Sequence, residues 1–400
     1  MKNSSKPFLL IGIEFGKYGL FNGHFFSFVY TVFSEFFRKV TMRGIVYSRA
    51  TSKDVKMKRI IICADGTWNR PEQLGKDQYP TSVLTFARHL LPEDDTGTKQ
   101  VVFYDWGIGS YHDQLSGGAF GAGLEKNVLD GYRFLVHNYD IGDEIYLFGF
   151  SRGAYTIRSL CGLINNCSVL KSAEGRLVEK AFDIYKTKKH TPKSQFAKDW
   201  RAEHSIANQV KIHFVGVWDT VGALGLPFSI FGLIKDKHLF YDRKLGSNLK
   251  TVRHALSLDE TRDDFEATIW QPRDDVDLAQ VWFAGVHADI GGSYKPDNDG
   301  KVLSDIPMQW LLTEAENSGL AFDNQLKQRA LRAHNCANAS QHNEYKGKYK
   351  LLGKRIREIP AQTEIPTYVH SSVQTRYLSS YKSQPIENYI KKHGQWPPIW

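Results

Sequence analysis

From Arg59 onward the chain alternates short, β-branched apolar runs with longer stretches of helical periodicity, and this alternation confines the fold most tightly. Ile60–Ala64, Gln100–Tyr104, Glu144–Phe150, Val210–Trp218 and Val281–Val286 are such runs. Near-continuous apolar character suits strands covered on both faces. Between them, Leu124–Asn138 sets Val128, Tyr132, Leu135 and Val136 on one side of a helix, and Ala154–Ile164 and Pro307–Ser318 also read as helices. Strands alternating with helices imply parallel strands joined by crossovers, hence an α/β fold with a mostly parallel, doubly wound sheet. Two stretches do not fit that sheet. Lys171–Ser205 is polar and helix-prone, and the segment from Gly222 is apolar and glycine-rich, so cap insertions are expected near 171–205 and 222–250. The expected organisation is an aromatic-rich segment over 1–58, a main domain over 59–390 and a tail over 391–400.

Composition narrows the class. With 42% hydrophobic and 24% charged residues, the chain is neither disordered nor fibrous. The 4 cysteines, Cys63, Cys161, Cys167 and Cys336, are too sparse for a disulfide framework and form no CxxC pair, which suits a reducing compartment. A net charge of +9 attracts anionic surfaces at long range, and phospholipid headgroups are the expected partner rather than nucleic acid. The basic clusters at Lys186–Lys189 and Lys346–Arg357 read as solvated surface. No run approaches the roughly 20 apolar residues of a membrane-spanning helix. The apolar run Phe8–Ile13 is shorter than a signal-peptide core and ends at Glu14. The chain is therefore expected to be cytoplasmic as synthesised, with export by a route that needs no signal peptide left open. The aromatic crowd over Phe21–Phe37 suits contact with a membrane surface, docking onto the main domain, or a true start at Met42 or Met57.

The sharpest chemical signal is Gly149-Phe150-Ser151-Arg152-Gly153. The string follows an expected strand and opens an expected helix, the strand-turn-helix setting of a nucleophile elbow. So sharp a turn needs residues without bulk beside the serine, hence Gly149 and Gly153. Serine is a weak nucleophile until a base takes its proton, so a carboxylate and a histidine should follow in that order. Asp219 ends one later apolar run and His287 ends another. A buried aspartate there is costly unless paired. Asp219 is thus preferred over Asp289, which is too near His287 in the chain to orient it. His287 is preferred over His370, which lacks a long apolar strand, and over His254 and His334, which sit on polar or helical stretches. Backbone N–H groups of Arg152 and of Gly66 or Thr67 are expected to form the oxyanion hole. Leu224, Leu226, Phe228 and Phe231 are expected to line or cover an acyl site.

Other chemistries are poorly served. Cys63-Ala64-Asp65-Gly66-Thr67 is similar to the DxDGT loop of haloacid-dehalogenase-type phosphatases, but Cys63 stands where their nucleophilic aspartate belongs. No GxxxxGK[ST], HxxxH or HxH string occurs, so neither a cofactor nor a resident metal is expected, and a divalent ion at Asp65 and Asp105 is a remote alternative. A membrane-associated scaffold that keeps the fold is the rival from another class.

With these residues in view, the chain resembles an α/β-hydrolase family long classed as a domain of unknown function. That family is similar to the catalytic domain of type VI secretion phospholipase effectors of the first lipase class. The resemblance rests on Ile62–Asn69, Tyr104–Gly109, Gly149–Ala154, Gly216–Gly222, His254–Glu260 and Trp282–Gly292, with a closing segment at His370–Val373 and Tyr381–Asn388. It implies an α/β-hydrolase-like fold, a Ser151–Asp219–His287 triad and esterase or phospholipase activity on a lipid or ester.

Overall fold

A computed structural model describes residues 56–66, 79–107, 117–187, 189–221, 244–347 and 349–400. Thr67 and the proposed acyl-site residues Leu224, Leu226, Phe228 and Phe231 lie outside the described residues, as does nearly all of the segment 1–58. The strands are β1 (Arg59–Ala64), β2 (Gln100–Asp105), β3 (Glu144–Phe150), β4 (Ile212–Trp218), β5 (Leu249–Ser257), β6 (Asp277–Phe283) and β7 (Tyr368–Val369). They form one sheet in the order β2-β1-β3-β4-β5-β6-β7, and every pairing is parallel. The helices are α1 (Ser82–His89), α2 (Gly117–Asn138), α3 (Arg152–Cys167), α4 (Gly175–Lys186), α5 (Gln195–His204), α6 (His287–Gly291), α7 (Asp305–Asn317), α8 (Asn324–Leu331), α9 (Tyr349–Leu352), α10 (Ser371–Tyr377) and α11 (Gln384–His393). The parallel α/β architecture read from the sequence is the one observed. Among the described residues no helix is long and apolar enough to cross a membrane.

Successive side chains of a strand point to opposite faces, and β1 shows why its run is apolar throughout. Ile60, Ile62 and Ala64 enter one core with residues of α2, α3 and α4, while Ile61 and Cys63 enter a second core with residues of α1, α7 and α8. The polar stretch 171–205 forms α4 and α5, and Val178, Ala181, Phe182 and Trp200 join the first of these cores.

Two strands escaped the sequence reading. Placing His254 on a polar or helical stretch was wrong, because it lies on β5 and is wholly buried. Charged residues hide that strand's character. Arg253 is buried by ion pairs to Asp277 and Glu314. The last apolar run was also read too far along: β6 spans Asp277–Phe283, and His287 begins α6. The region after Tyr345 carries α9, β7, α10 and α11. Its Ile359, Val369, Val373, Ile386 and Tyr389 form a third apolar cluster with Leu256, Leu258 and Trp282.

Candidate active site

Parallel strands deliver their carboxyl ends to one rim, and the order β3-β4-β5-β6 sets the ends of the candidate-bearing strands side by side. Ser151 follows β3 at φ 58° and ψ −122°, a sparsely populated conformation for a residue with a side chain. Its N–H donates to the Trp218 carbonyl at 3.1 Å, so the ladder between β3 and β4 continues into the turn. The Asp219 N–H likewise donates to the Ala255 carbonyl of β5 at 2.8 Å, with Asp219 at φ 37°. Glycine is obligatory at 153, because a Cβ there would lie 2.0 Å from the Ala64 carbonyl oxygen.

Three side chains meet at the rim. Ser151 Oγ lies 2.8 Å from His287 Nε2, and His287 Nδ1 lies 2.6 Å from Asp219 Oδ2. Asp219 is fully buried, and Ser151 and His287 are nearly so. The other Asp219 oxygen accepts the Ser257 N–H at 2.9 Å. Although burial penalises the Asp219 charge, the Arg357 guanidinium and the His287 N–H more than offset it and hold the carboxyl well below the usual range. Burial between the rings of Phe150 and Phe265, with centroids 4.6 and 5.0 Å from that of His287, lowers the imidazole pKa; hydrogen bonding and attraction to Asp219 only partly oppose it. The pair thus rests as a carboxylate beside a neutral imidazole.

The other candidates are placed elsewhere. Asp289 accepts the Val286 N–H at 3.0 Å and meets His342 Nδ1 at 2.8 Å. His370 caps α10, with Nδ1 2.9 Å from Ser372 Oγ and its ring stacked on Phe283. His254 accepts the Thr220 N–H at 3.2 Å, and burial pushes its pKa down to about 3. The Gly66 N–H donates to Asp65 Oδ1 at 2.6 Å. Asp65 also accepts hydrogen bonds from Thr81 Oγ1, at the start of α1, and from the Tyr104 hydroxyl of β2. This is the work of a buried brace between elements. Beside it, burial raises the pKa of the Cys63 thiol. Among the described residues no group of three or more His, Cys, Asp or Glu side chains converges as a metal site.

The model of a known family, described as the catalytic domain of Tle1-like phospholipase effectors of the type VI secretion system (T6SS), matches residues 58–314. The chain belongs to this family. An uncharacterized protein of Saccharomyces cerevisiae is 29% identical over 238 residues, which cover 54% of this chain and 33% of that protein. The chain thus spans about a third of the length of that curated relative. Among solved structures, an uncharacterized Pseudomonas aeruginosa protein is similar at a TM-score of 0.41 and 17% identity, over 75% of this chain and 52% of that one. The Tle1 effector bound to the VgrG spike is similar at 0.36 and 18%, over 60% and 52%.

In this Tle1-like domain the residues that sequence reasoning missed surround the imidazole and the carboxylate. Glu260 accepts the His287 backbone N–H at 3.3 Å and is paired with Arg262, whose guanidinium lies 3.5 Å from the Phe265 ring centroid. Arg357, read as part of a solvated basic cluster, is instead buried against Asp219. The one signal for it was the apolar Ile359-Pro360 just beyond, a weak hint that the chain dives inward there.

Proposed function

We propose that this chain is a serine hydrolase that cleaves carboxylic esters, with acyl esters of a phospholipid or similar lipid as substrate. The observation that carries the proposal is the hydrogen-bonded series Ser151 Oγ, His287 and Asp219, at 2.8 and 2.6 Å. Ser151 Oγ attacks the ester carbonyl carbon while its proton passes to His287 Nε2. Asp219 holds the imidazole in the tautomer that leaves Nε2 free to accept, and stabilises the imidazolium. Negative charge develops on the carbonyl oxygen, next to the amino terminus of α3. The Arg152 N–H is the donor proposed there, with the second assigned to Thr67. Collapse breaks the ester C–O bond, and Nε2 returns the proton to the departing alcohol. Water then releases the acyl group from Ser151 by the same steps. Family membership favours a lipid acyl group, and contact with an anionic membrane surface suits the +9 charge. Leu224, Leu226, Phe228 and Phe231 are proposed to line or cover the acyl site.

A fluorophosphonate probe should label the protein rapidly on Ser151, since only an activated serine reacts fast. Ser151→Ala should abolish both labelling and hydrolysis across a panel of phospholipids, lysolipids and short acyl esters, while circular dichroism stays unchanged. An undiminished turnover number in that variant would refute the mechanism. The pH profile gives a separate check. The base must be neutral to act, and burial depresses its pKa, so the acid limb of kcat/KM should have its midpoint below the ordinary histidine value of 6.5. A midpoint above 6.5 would exclude His287 as the base in this environment.

A further inference from the structure

We propose that Arg357 is a positioning residue for the ester hydrolysis, gripping both Asp219 oxygens so that the carboxylate stays ionised and aimed at Nδ1. This rests on the serine-hydrolase reading above. The grip has two prongs. One terminal nitrogen of Arg357 lies 2.6 Å from Asp219 Oδ1 and the other lies 3.0 Å from Oδ2. Each terminal nitrogen also donates to a backbone carbonyl, Ser257 at 2.9 Å and Phe265 at 2.6 Å. Those two carbonyls fix the guanidinium plane. Ser257 in turn donates its N–H to Asp219 Oδ1, and Phe265 carries the ring that edges His287. The clamp therefore ties the acid, the strand end beneath it and one wall of the imidazole pocket into one unit. Arg357 lies beyond residue 314, where the family match ends.

The physical need is plain. A lone ionised carboxylate with no solvent exposure is costly, and a protonated one could not favour the imidazolium. A planar fork matched to both oxygens meets that need and fixes the carboxylate plane, which a point charge cannot do. The charged and titratable groups around the pair are Arg357, Glu260 and Arg262 near His287, and His254 near Asp219 with Arg158 close to it. Arg357 is the member of this set that hydrogen-bonds both Asp219 oxygens.

Removing the cation makes a proton more welcome on the Asp219–His287 pair, whichever of the two carries it. The acid limb of kcat/KM should therefore move to higher pH in Arg357→Met, by about one pH unit or more. Fluorophosphonate labelling at neutral pH should slow by about tenfold or more, because less of the base is free to accept. Arg357→Lys keeps the charge but not the fork, so its acid limb should stay near that of the wild type while kcat falls and KM does not. A folded Arg357→Met protein with an unmoved acid limb would overturn the proposal. If the Met variant does not fold, Arg357→Lys decides, and wild-type kcat in it would overturn the two-pronged grip. Ser151→Ala, run in parallel, separates the cases. Persisting hydrolysis there defeats the serine-hydrolase reading itself, whereas its loss beside an unchanged Arg357→Met profile defeats only the role of Arg357.

Discussion

Asp219→Asn is expected to lower kcat by about four orders of magnitude while leaving substrate binding nearly intact. The substitution is almost isosteric, so its effect is one of protons rather than of volume. In the wild type both Asp219 oxygens only accept: from Ser257, from Arg357 and from His287 Nδ1, 2.6 Å away. An asparagine has one accepting oxygen, and the Ser257 N–H and one Arg357 nitrogen, which both donate to Oδ1 in the wild type, compete for it. Its amide nitrogen then faces Nδ1 and donates, which drives the ring proton to Nε2. An imidazole protonated at Nε2 cannot accept from Ser151 Oγ. The same change leaves the buried Arg357 cation unbalanced, at a stability cost of about 3 kcal/mol or more. Rate and stability must therefore be measured on the same sample: single-turnover hydrolysis of a short acyl ester, with urea unfolding alongside. A folded Asp219→Asn enzyme within tenfold of wild-type kcat would mean that Asp219 does not set the imidazole tautomer.

The legibility of this chain follows from how physics writes into sequence. β1, β3 and β4 are buried on both faces, so nearly every residue is apolar and the run announces itself. The elbow was legible because close backbone contact at 149 and 153 excludes every side chain, and glycine is the only residue that meets the demand. β5 was not, since Lys250, Arg253 and His254 interrupt its run: Lys250 is exposed, and Arg253 and His254 are reconciled with burial by partners distant in sequence. β7 is too short to show a period. Arg357 was illegible for a related reason. An arginine paired with a carboxylate 138 positions away looks, in the chain, like any other member of a basic run. Local patterns pointed to Ser151 and, through chain order, to Asp219 and His287, three side chains that lie in hydrogen-bonded series. The groups that hold Asp219 and His287 were set by long-range contacts and became visible only in three dimensions.

The second large effect concerns folding. Gly→Ala within a helix ordinarily stabilises by about 0.4–1 kcal/mol, because alanine restricts the unfolded chain. Gly153→Ala, in the first turn of α3, should do the opposite and destabilise by about 3 kcal/mol or more. The added Cβ would sit 2.0 Å from the Ala64 carbonyl oxygen, 2.4 Å from its carbon and 2.6 Å from the Asp65 carbonyl oxygen. All three are backbone atoms at the end of β1, which pairs with both β2 and β3 and so cannot step aside. Relief would require α3 to lift away from the sheet, and α3 carries Ile157, Leu160, Leu163 and Ile164 into the core and anchors the turn that presents Ser151. The contrast is Gly175, the first residue of α4, where an added Cβ meets nothing within 4 Å. Gly175→Ala should be neutral or slightly stabilising. Thermal melts of the two variants test the argument as a pair: a Gly153→Ala protein that melts with the wild type would show that β1 and α3 do not approach as closely as these distances require. The same close approach sets the Ser151 turn, so partial retention of the fold should still cost activity, with fluorophosphonate labelling falling more steeply than the folded fraction.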